Sequence, residues 1–309
     1  MKLKRYEGNP IITPIPEHKW ESKVVFNCAA VYLGGKVHIV YRSRDKEYIS
    51  RLGYAVSRDG FHVDERLSEP IYLPQGEIEK YGCEDPRISK VGERLYMSYT
   101  AYGETPGMAT KVRQSIQIAI TSISVEDFLN RQWNWTKPHY PFPGVDNKGA
   151  VIFPEKIQNK YVMYHRIPPH IWVAYSEDLL NWHDSNIVIK PQYEWEYYKI
   201  GTGGPPIETD YGWLVIYHTV DINMVYRLSY FITAIDDPTK IIYKHSEPII
   251  EPEKEFETQG DVANVVFTCG AVLIDDTVFV YYGGADTVIC VATAKLEEFL
   301  LPLKLWRCS

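Results

Sequence analysis

The sequence predicts an all-β fold, a five-bladed β-propeller formed as a single domain over residues 1–309. Three observations carry this. Helical periodicity is confined to two short stretches, 124–130 and 296–301, while short apolar runs bounded by turn residues fill the rest. The runs recur as five units, each an apolar stretch, a tight turn and an aromatic-rich stretch. Their spacing, roughly 50–65 residues, lies at the upper end of the range for propeller blades.

In chain order, the first unit covers 26–33, turns at Gly34-Gly35 and continues over 37–41. The second begins at Asp85, turns at Gly92 and continues over 95–99. The third covers 148–154, turns near Asn159 and continues over 161–165. The fourth covers 204–207, turns at Tyr211-Gly212 and continues over 213–218. The fifth covers 267–273, turns at Asp275-Asp276 and continues over 278–282. Third strands are expected over 53–57, 118–121, 172–176 and 290–293. A meander of this kind cannot cover both of its faces alone. Radial stacking covers them and leaves only short edges. A pair of β-sandwiches, the structural alternative, has no need of five matched units.

Composition narrows the function classes. Hydrophobic residues make up 45% of the chain, ample for a full core. The formal net charge is −7 and no basic run exists, which argues against nucleic acid as a partner. No apolar run approaches membrane-spanning length, and the N-terminus lacks the apolar segment of a signal peptide. A cytoplasmic protein without a membrane partner is expected; a homo-oligomer is compatible with the sequence. Cysteines at 28, 83, 269, 290 and 308 are odd in number and form no CxxC, so the first four read as small buried residues in a reducing compartment. The nine histidines show no metal-ligand spacing, and neither metal nor cofactor is expected.

The innermost strands of a propeller converge on its axis, so their starts bring distant residues together. Those positions hold Asn27, Asp85, Lys148, Gly203-Gly204 and the surroundings of Asn264. The ends of the following strands add Arg42, Arg166, His218 and Asp286. One segment breaks the repeat: Gly82-Cys83-Glu84-Asp85-Pro86-Arg87-Ile88 places acids where sister units are neutral. As a plain turn, Asp85-Pro86 would pair with Arg87. As a functional group, Asp85 is a general acid, with Glu84 as a supporting or substrate ligand. Inverting hydrolysis needs a second carboxylate, for which Glu155 and Asp261 are the weaker candidates. The matching positions carry cations instead: Lys148, Arg166, Lys199 and His218. Singly, each reads as an ordinary residue: a solvated Lys, Arg166 paired with Glu155, a satisfied strand-end His218. Two like charges about 4 Å apart repel by about 4 kcal/mol at an effective dielectric near 20. A converging set therefore asks for an anion, and phosphate suits Arg and Lys. Phosphate is already nucleophilic at neutral pH, so one acid suffices.

Taken together, these residues resemble glycoside hydrolase family 130, the β-mannoside phosphorylases and related hydrolases. The likeness rests on the 82–88 segment, on 147–156 and 199–206, and on 213–218, 264–270 and 281–287. It extends from Asn9-Pro10 to about residue 300. The resemblance implies a five-bladed propeller and inverting phosphorolysis. Inorganic phosphate, as co-substrate, attacks the anomeric carbon of a terminal β-mannoside and α-mannose 1-phosphate is released. It implies Asp85 as the acid, acting through the mannose 3-hydroxyl, with Asn27, Arg42 and Asp286 as sugar ligands. Arg166, Lys199 and His218 match phosphate ligands; Lys148 lies where relatives carry an Arg-Asn or Asn-Lys pair and is grouped with them. Hydrolytic relatives tend to lose the basic set, so Lys199 and His218 favour phosphorolysis. The implied substrate is a β-1,2- or β-1,4-linked manno-oligosaccharide, with β-1,2 favoured. Two alternatives stay open: a β-mannosidase using Glu155 or Asp261 to activate water, and a non-catalytic sugar-binding propeller. Segment 103–144, with Met108, Arg113, Trp133, Trp135, His139 and Tyr140, is expected to finish the second unit. The rest of it would form a loop over the pocket, an oligomer contact or local packing.

Overall fold

The structure is a computed structural model and describes residues 1–106 and 112–307. Met108 and Cys308 lie outside the described residues, and the Arg113 side chain is likewise not described. The chain is nearly all β, and each of the five units is an antiparallel meander. The first pairs Val24–Leu33, Lys36–Arg44 and Ser50–Ser57 in order, with Glu65–Arg66 at its outer edge. The second pairs Gly82–Val91, Arg94–Pro106 and Val112–Ser124. A single parallel bridge, Ser50 to Gly82, joins these two into one hydrogen-bonded sheet. The third pairs Lys148–Ile152, Tyr161–Ile167, His170–Ser176 and His183–Ile189. The last consists of Val266–Ile274, Thr277–Gly284 and Val288–Lys295, and takes Lys4–Arg5 from the N-terminus as its fourth strand.

The fourth unit departs from expectation. Its innermost strand does not run continuously through 204–207. It is split into Lys199–Thr202 and Ile207–Thr209, both paired with Gly212–Val220. Pro205 and Pro206 fall in the gap, because proline brings no N–H to a ladder. Tyr226–Thr233 and Ile241–Lys244 complete this sheet. The C-terminal helix also runs further than expected, over Leu296–Arg307, because Phe299, Leu300 and Leu303 bury against the last unit.

The core lies between units. Ala29 and Val40 of the first pack with Cys83 and Met97 of the second. Ile118 and Ile120 meet Ile152 and Met163. Val151 and Tyr164 meet Val215 and Tyr217, and Leu214 and Ile216 meet Val278 and Val280. Phe279 and Tyr281 of the fifth unit pack with Val25 and Ile39 of the first. Burial of these side chains stabilises by about 1.5–3 kcal/mol each.

A recurring polar contact marks four of the units. A single helical turn before the innermost strand carries a fully buried glutamate as its third residue, Glu21, Glu79, Glu196 or Glu257. Each accepts a hydroxyl from the middle of the second strand: Tyr41 (2.8 Å), Tyr99, Tyr217 (3.0 Å) and Tyr282 (2.9 Å). Three of these carboxylates also hold a cation: Arg66 on Glu21, Lys244 on Glu196 and Arg5 on Glu257. Among the described residues Glu79 has no basic partner. Tyr140 and the backbone N–H of Gln75 donate to it instead, and burial pushes its carboxyl up.

Segment 103–144 is used chiefly for packing. Trp133 and Trp135 pack against Phe128, with Tyr54 beside Trp133 and Tyr72 beside Trp135, and Tyr140 turns inward to Glu79. His139 Nε2 lies 2.6 Å from the carbonyl of Leu180 in the third unit.

Candidate active site

The innermost strands share one local irregularity. The ladder slips between Phe26 and Cys28, between Glu84 and Arg87, and between Thr268 and Gly270. In the third unit it slips between Lys148 and Val151, which stand opposite Arg166 and Tyr164, so the extra residue is again on the innermost strand. An extra residue bends a strand and re-aims a side chain. Asn27 (φ 46°) and Asp85 (φ 52°) stand at two of these slips in the left-handed region, which Asn and Asp tolerate best. Gly149 (φ 61°) is the counterpart in the third unit. Register places the remaining groups at the same end: Arg42 opposite Phe26, Arg166 opposite Lys148, and His218 opposite Gly201. A Cβ at Gly201 would stand 2.5 Å from the His218 ring, so only glycine fits there.

The result is a cavity of about 160 Å³. Of the nine residues singled out in the sequence, seven line it: Asn27, Arg42, Asp85, Lys148, Arg166, Lys199 and Asp286. Glu84 and His218 stand just behind the wall. Two larger surface depressions, around 208–212 and beside Trp20, contain none of these nine residues.

On one side the wall is a closed ion network. Asn27 Nδ2 and Arg42 Nη1 both donate to Asp85 Oδ1, at 2.9 and 3.0 Å. Arg42 Nη2 donates to Glu84 at 2.5 Å, and Lys148 Nζ donates to the other Glu84 oxygen at 3.2 Å. Burial pushes the Asp85 carboxyl up, but Arg42, then Lys148 and Arg87, and the Asn27 amide outweigh it and hold it at about 2. Arg87 does not bond the Asp85 carboxylate. It donates to the carbonyls of Gly203 (2.8 Å), Thr202 (3.1 Å) and Asp85 (2.8 Å), tying the second unit to the fourth.

The opposite side is cationic. Arg166 is buried, and burial works against its charge. Its Nη1 lies 3.0 Å from His218 Nε2, and its Nε has no partner among the described residues. His218 is fully buried; burial first, then Arg166, Arg87 and Lys199, holds it well below the usual imidazole range. Burial, with Arg166 and Lys148 nearby, pushes Lys199 down to about 8. Among the described residues neither Arg166 nor Lys199 forms an ion pair. A buried charge without a counter-ion costs several kcal/mol, so this half of the cavity is built for an anion.

Asp286, half-buried on the turn after Thr277–Gly284, is the second carboxylate in the wall. Burial pushes it up to about 7, Arg42 draws it down and Asp85 pushes it further up. Glu155 is exposed beyond the far end of its strand, and Asp261 is held by Lys23 (3.2 Å) and Arg44, so neither lines the cavity. Sequence reading missed Tyr226, Phe267, Val262 and the lining role of Arg87. Tyr226 opens the third strand of the fourth unit, whose apolar alternation over 226–232 was the available signal.

Comparison with known proteins places this arrangement. The model of a protein family described as beta-1,4-mannooligosaccharide phosphorylase, glycoside hydrolase family 130, matches residues 2–304. A 1,2-beta-oligomannan phosphorylase from Thermoanaerobacter sp. (strain X514) is 43% identical over 307 residues, covering 96% of this chain and 99% of that protein. A beta-1,2-mannobiose phosphorylase from the same strain is 42% identical, covering 96% and 98%. The solved beta-1,2-mannobiose phosphorylase from Listeria innocua, in complex with β-1,2-mannobiose, superimposes with a TM-score of 0.82 at 26% identity, covering 99% of this chain and all of that one. With this match along nearly its whole length, the chain belongs to glycoside hydrolase family 130.

Proposed function

We propose that this protein is an inverting glycoside phosphorylase that cleaves a terminal β-mannoside with inorganic phosphate and releases α-mannose 1-phosphate. The observation that carries the reading is the division of the cavity: a carboxylate network at Asp85 faces cations, Arg166 and Lys199, that lack a carboxylate. Phosphate fills that second half, with Lys148 shared between the two sides. His218 acts behind Arg166, as the acceptor that orients the guanidinium. Mannose lies between, held by Asn27, Arg42 and Asp286, while Glu84 keeps Arg42 and Lys148 in place. The fold that delivers these groups is read as a five-bladed propeller, supported by core clusters between successive units and between the fifth and the first.

Held at about 2, Asp85 is ionised at neutral pH and by itself has no proton to donate. An entering phosphate dianion offsets Lys148, Arg166 and Lys199, the surroundings that depress Asp85, and so raises its proton affinity. The acid is then armed by its co-substrate. A proton from Asp85, relayed through the mannose 3-hydroxyl, reaches the glycosidic oxygen as phosphate oxygen bonds to the anomeric carbon and the C–O bond to the leaving sugar breaks. The two relatives above 40% identity favour β-1,2-linked manno-oligosaccharides as substrate.

Incubation with β-1,2-mannobiose, with and without phosphate, tests the reading. α-Mannose 1-phosphate forms only with phosphate; equal release of free mannose in its absence would assign a hydrolase instead.

A further inference from the structure

We propose that Tyr48 is the platform for the second sugar of the substrate, the residue that leaves; this rests on the phosphorolysis reading above. Tyr48 lies in the loop between Lys36–Arg44 and Ser50–Ser57 and is 58% exposed. Its ring is nevertheless held. Lys23 Nζ lies 3.7 Å from the ring centroid and the Arg44 guanidinium carbon 5.0 Å away. Both cations are tied to the carboxylate of Asp261, and the next residue, Val262, lines the cavity. Arg44 also reaches the ring of Phe26, on which Arg42 of the cavity wall lies at 4.5 Å. The loop itself is braced by Asp45, which accepts from the N–H groups of Glu47 and Ile49 and pairs with Arg51.

Tyr48 holds this pose with φ at +64°, a left-handed backbone that a bulky residue adopts at a cost. Position says which ligand the ring serves. In an inverting displacement the nucleophile and the leaving group occupy opposite faces of the sugar. The unpaired cations come from the third and fourth units, Arg166 and Lys199. Tyr48 belongs to the first unit and is linked through Lys23 and Arg44 to Asp261, just before the innermost strand of the fifth. Tyr197 and Tyr198, also exposed, adjoin Lys199 in sequence on the phosphate side, with the Tyr198 ring 5.2 Å from its Nζ. A sugar leaving away from phosphate therefore meets Tyr48, whose face suits the C–H surface of a pyranose and whose hydroxyl suits its rim.

Two variants test this. Tyr48→Asn removes the ring yet suits a positive φ, and Tyr48→Phe keeps the ring. Phosphorolysis kinetics with β-1,2-mannobiose and β-1,2-mannotriose are measured alongside calorimetric binding of the same sugars without phosphate. Tyr48→Asn raises KM and Kd for the oligosaccharide about three- to tenfold, the scale of one aromatic contact. The KM for phosphate stays unchanged, and Tyr48→Phe stays near wild type. Unchanged KM and Kd in Tyr48→Asn overturns the platform. A wild type that frees mannose without phosphate overturns the phosphorolysis reading separately, while the Kd comparison still decides the role of Tyr48.

Discussion

Arg166 donates from Nη1 to His218 Nε2 across 3.0 Å, and the imidazole is neutral because burial and three nearby cations forbid its charge. The pair is thus a charge and its orienting acceptor. Removing the acceptor leaves a buried guanidinium free to turn. His218→Leu is expected to raise the KM for phosphate by about 10- to 100-fold, the worth of a hydrogen bond to a charged group. His218→Gln, which restores an acceptor, recovers part of the loss. Steady-state kinetics with phosphate as the varied substrate check both.

Asp85 is the proton donor in the reading above, and its loss falls on the chemical step. Asp85→Asn keeps an acceptor for Asn27 and Arg42 but has no proton to give. The rate of mannose 1-phosphate release should fall by about 10²–10⁴-fold, while calorimetry shows mannobiose still bound. Near-normal turnover would move the acid elsewhere, with Asp286 the next group to examine.

Lys199 sets a pH limit on phosphate binding. Its amine is pushed down to about 8, so the cation is present below that pH and is lost as pH rises through it. Once phosphate's own second ionisation is complete, the KM for phosphate therefore rises as pH passes about 8, by about tenfold per unit when titration is well under way. Lys199→Arg, whose guanidinium keeps its proton, shifts that rise beyond the alkaline range. A pH profile of kcat/KM for phosphate in both proteins reads the difference.

The buried glutamates differ in their partners, and their variants should differ in stability. Glu257 receives Arg5 through two bonds, 2.8 and 3.0 Å, and so fastens the N-terminal strand to the last unit. Glu257→Gln leaves that guanidinium with the exposed Glu253 (3.0 Å) and the Glu251 carbonyl (2.5 Å), and is expected to cost about 3 kcal/mol, the low end for breaking a buried pair. Glu79 holds no cation, and its carboxyl is raised by burial. Between its unfolded and folded values the folded state binds more protons, so its contribution falls as pH rises through that window. Glu79→Gln should therefore cost clearly less than Glu257→Gln at neutral pH. Chemical unfolding at pH 7 compares the two.

Much of this was legible before the structure. Turn residues such as Gly34-Gly35, Gly92 and Asp275-Asp276 sit where hairpins close, since left-handed backbone is a local requirement that particular residues meet. A short acidic and apolar pattern also precedes four of the units, Lys19-Trp20-Glu21, Glu77-Ile78-Glu79, Glu194-Trp195-Glu196 and Glu255-Phe256-Glu257, but nothing in it says that the last glutamate is buried. The split of the fourth unit was signalled by Pro205-Pro206. Tyr226 carried only the apolar alternation of its strand, because a tyrosine at a strand start looks the same whether it faces a cavity or solvent.

By itself the sequence determined the period of the strands, the acid that interrupts their pattern and the stock of cations available to one end of the fold. Only the tertiary structure decided which charges are spent on one another. Arg42 and Lys148 are engaged by Glu84, Arg87 by backbone carbonyls, and Arg166 and Lys199 by no carboxylate among the described residues. That division depends on separations of a few ångströms between strands 40 to 200 residues apart. Such separations are set by the slips in each ladder and the packing between units, and no local pattern in the chain encodes them.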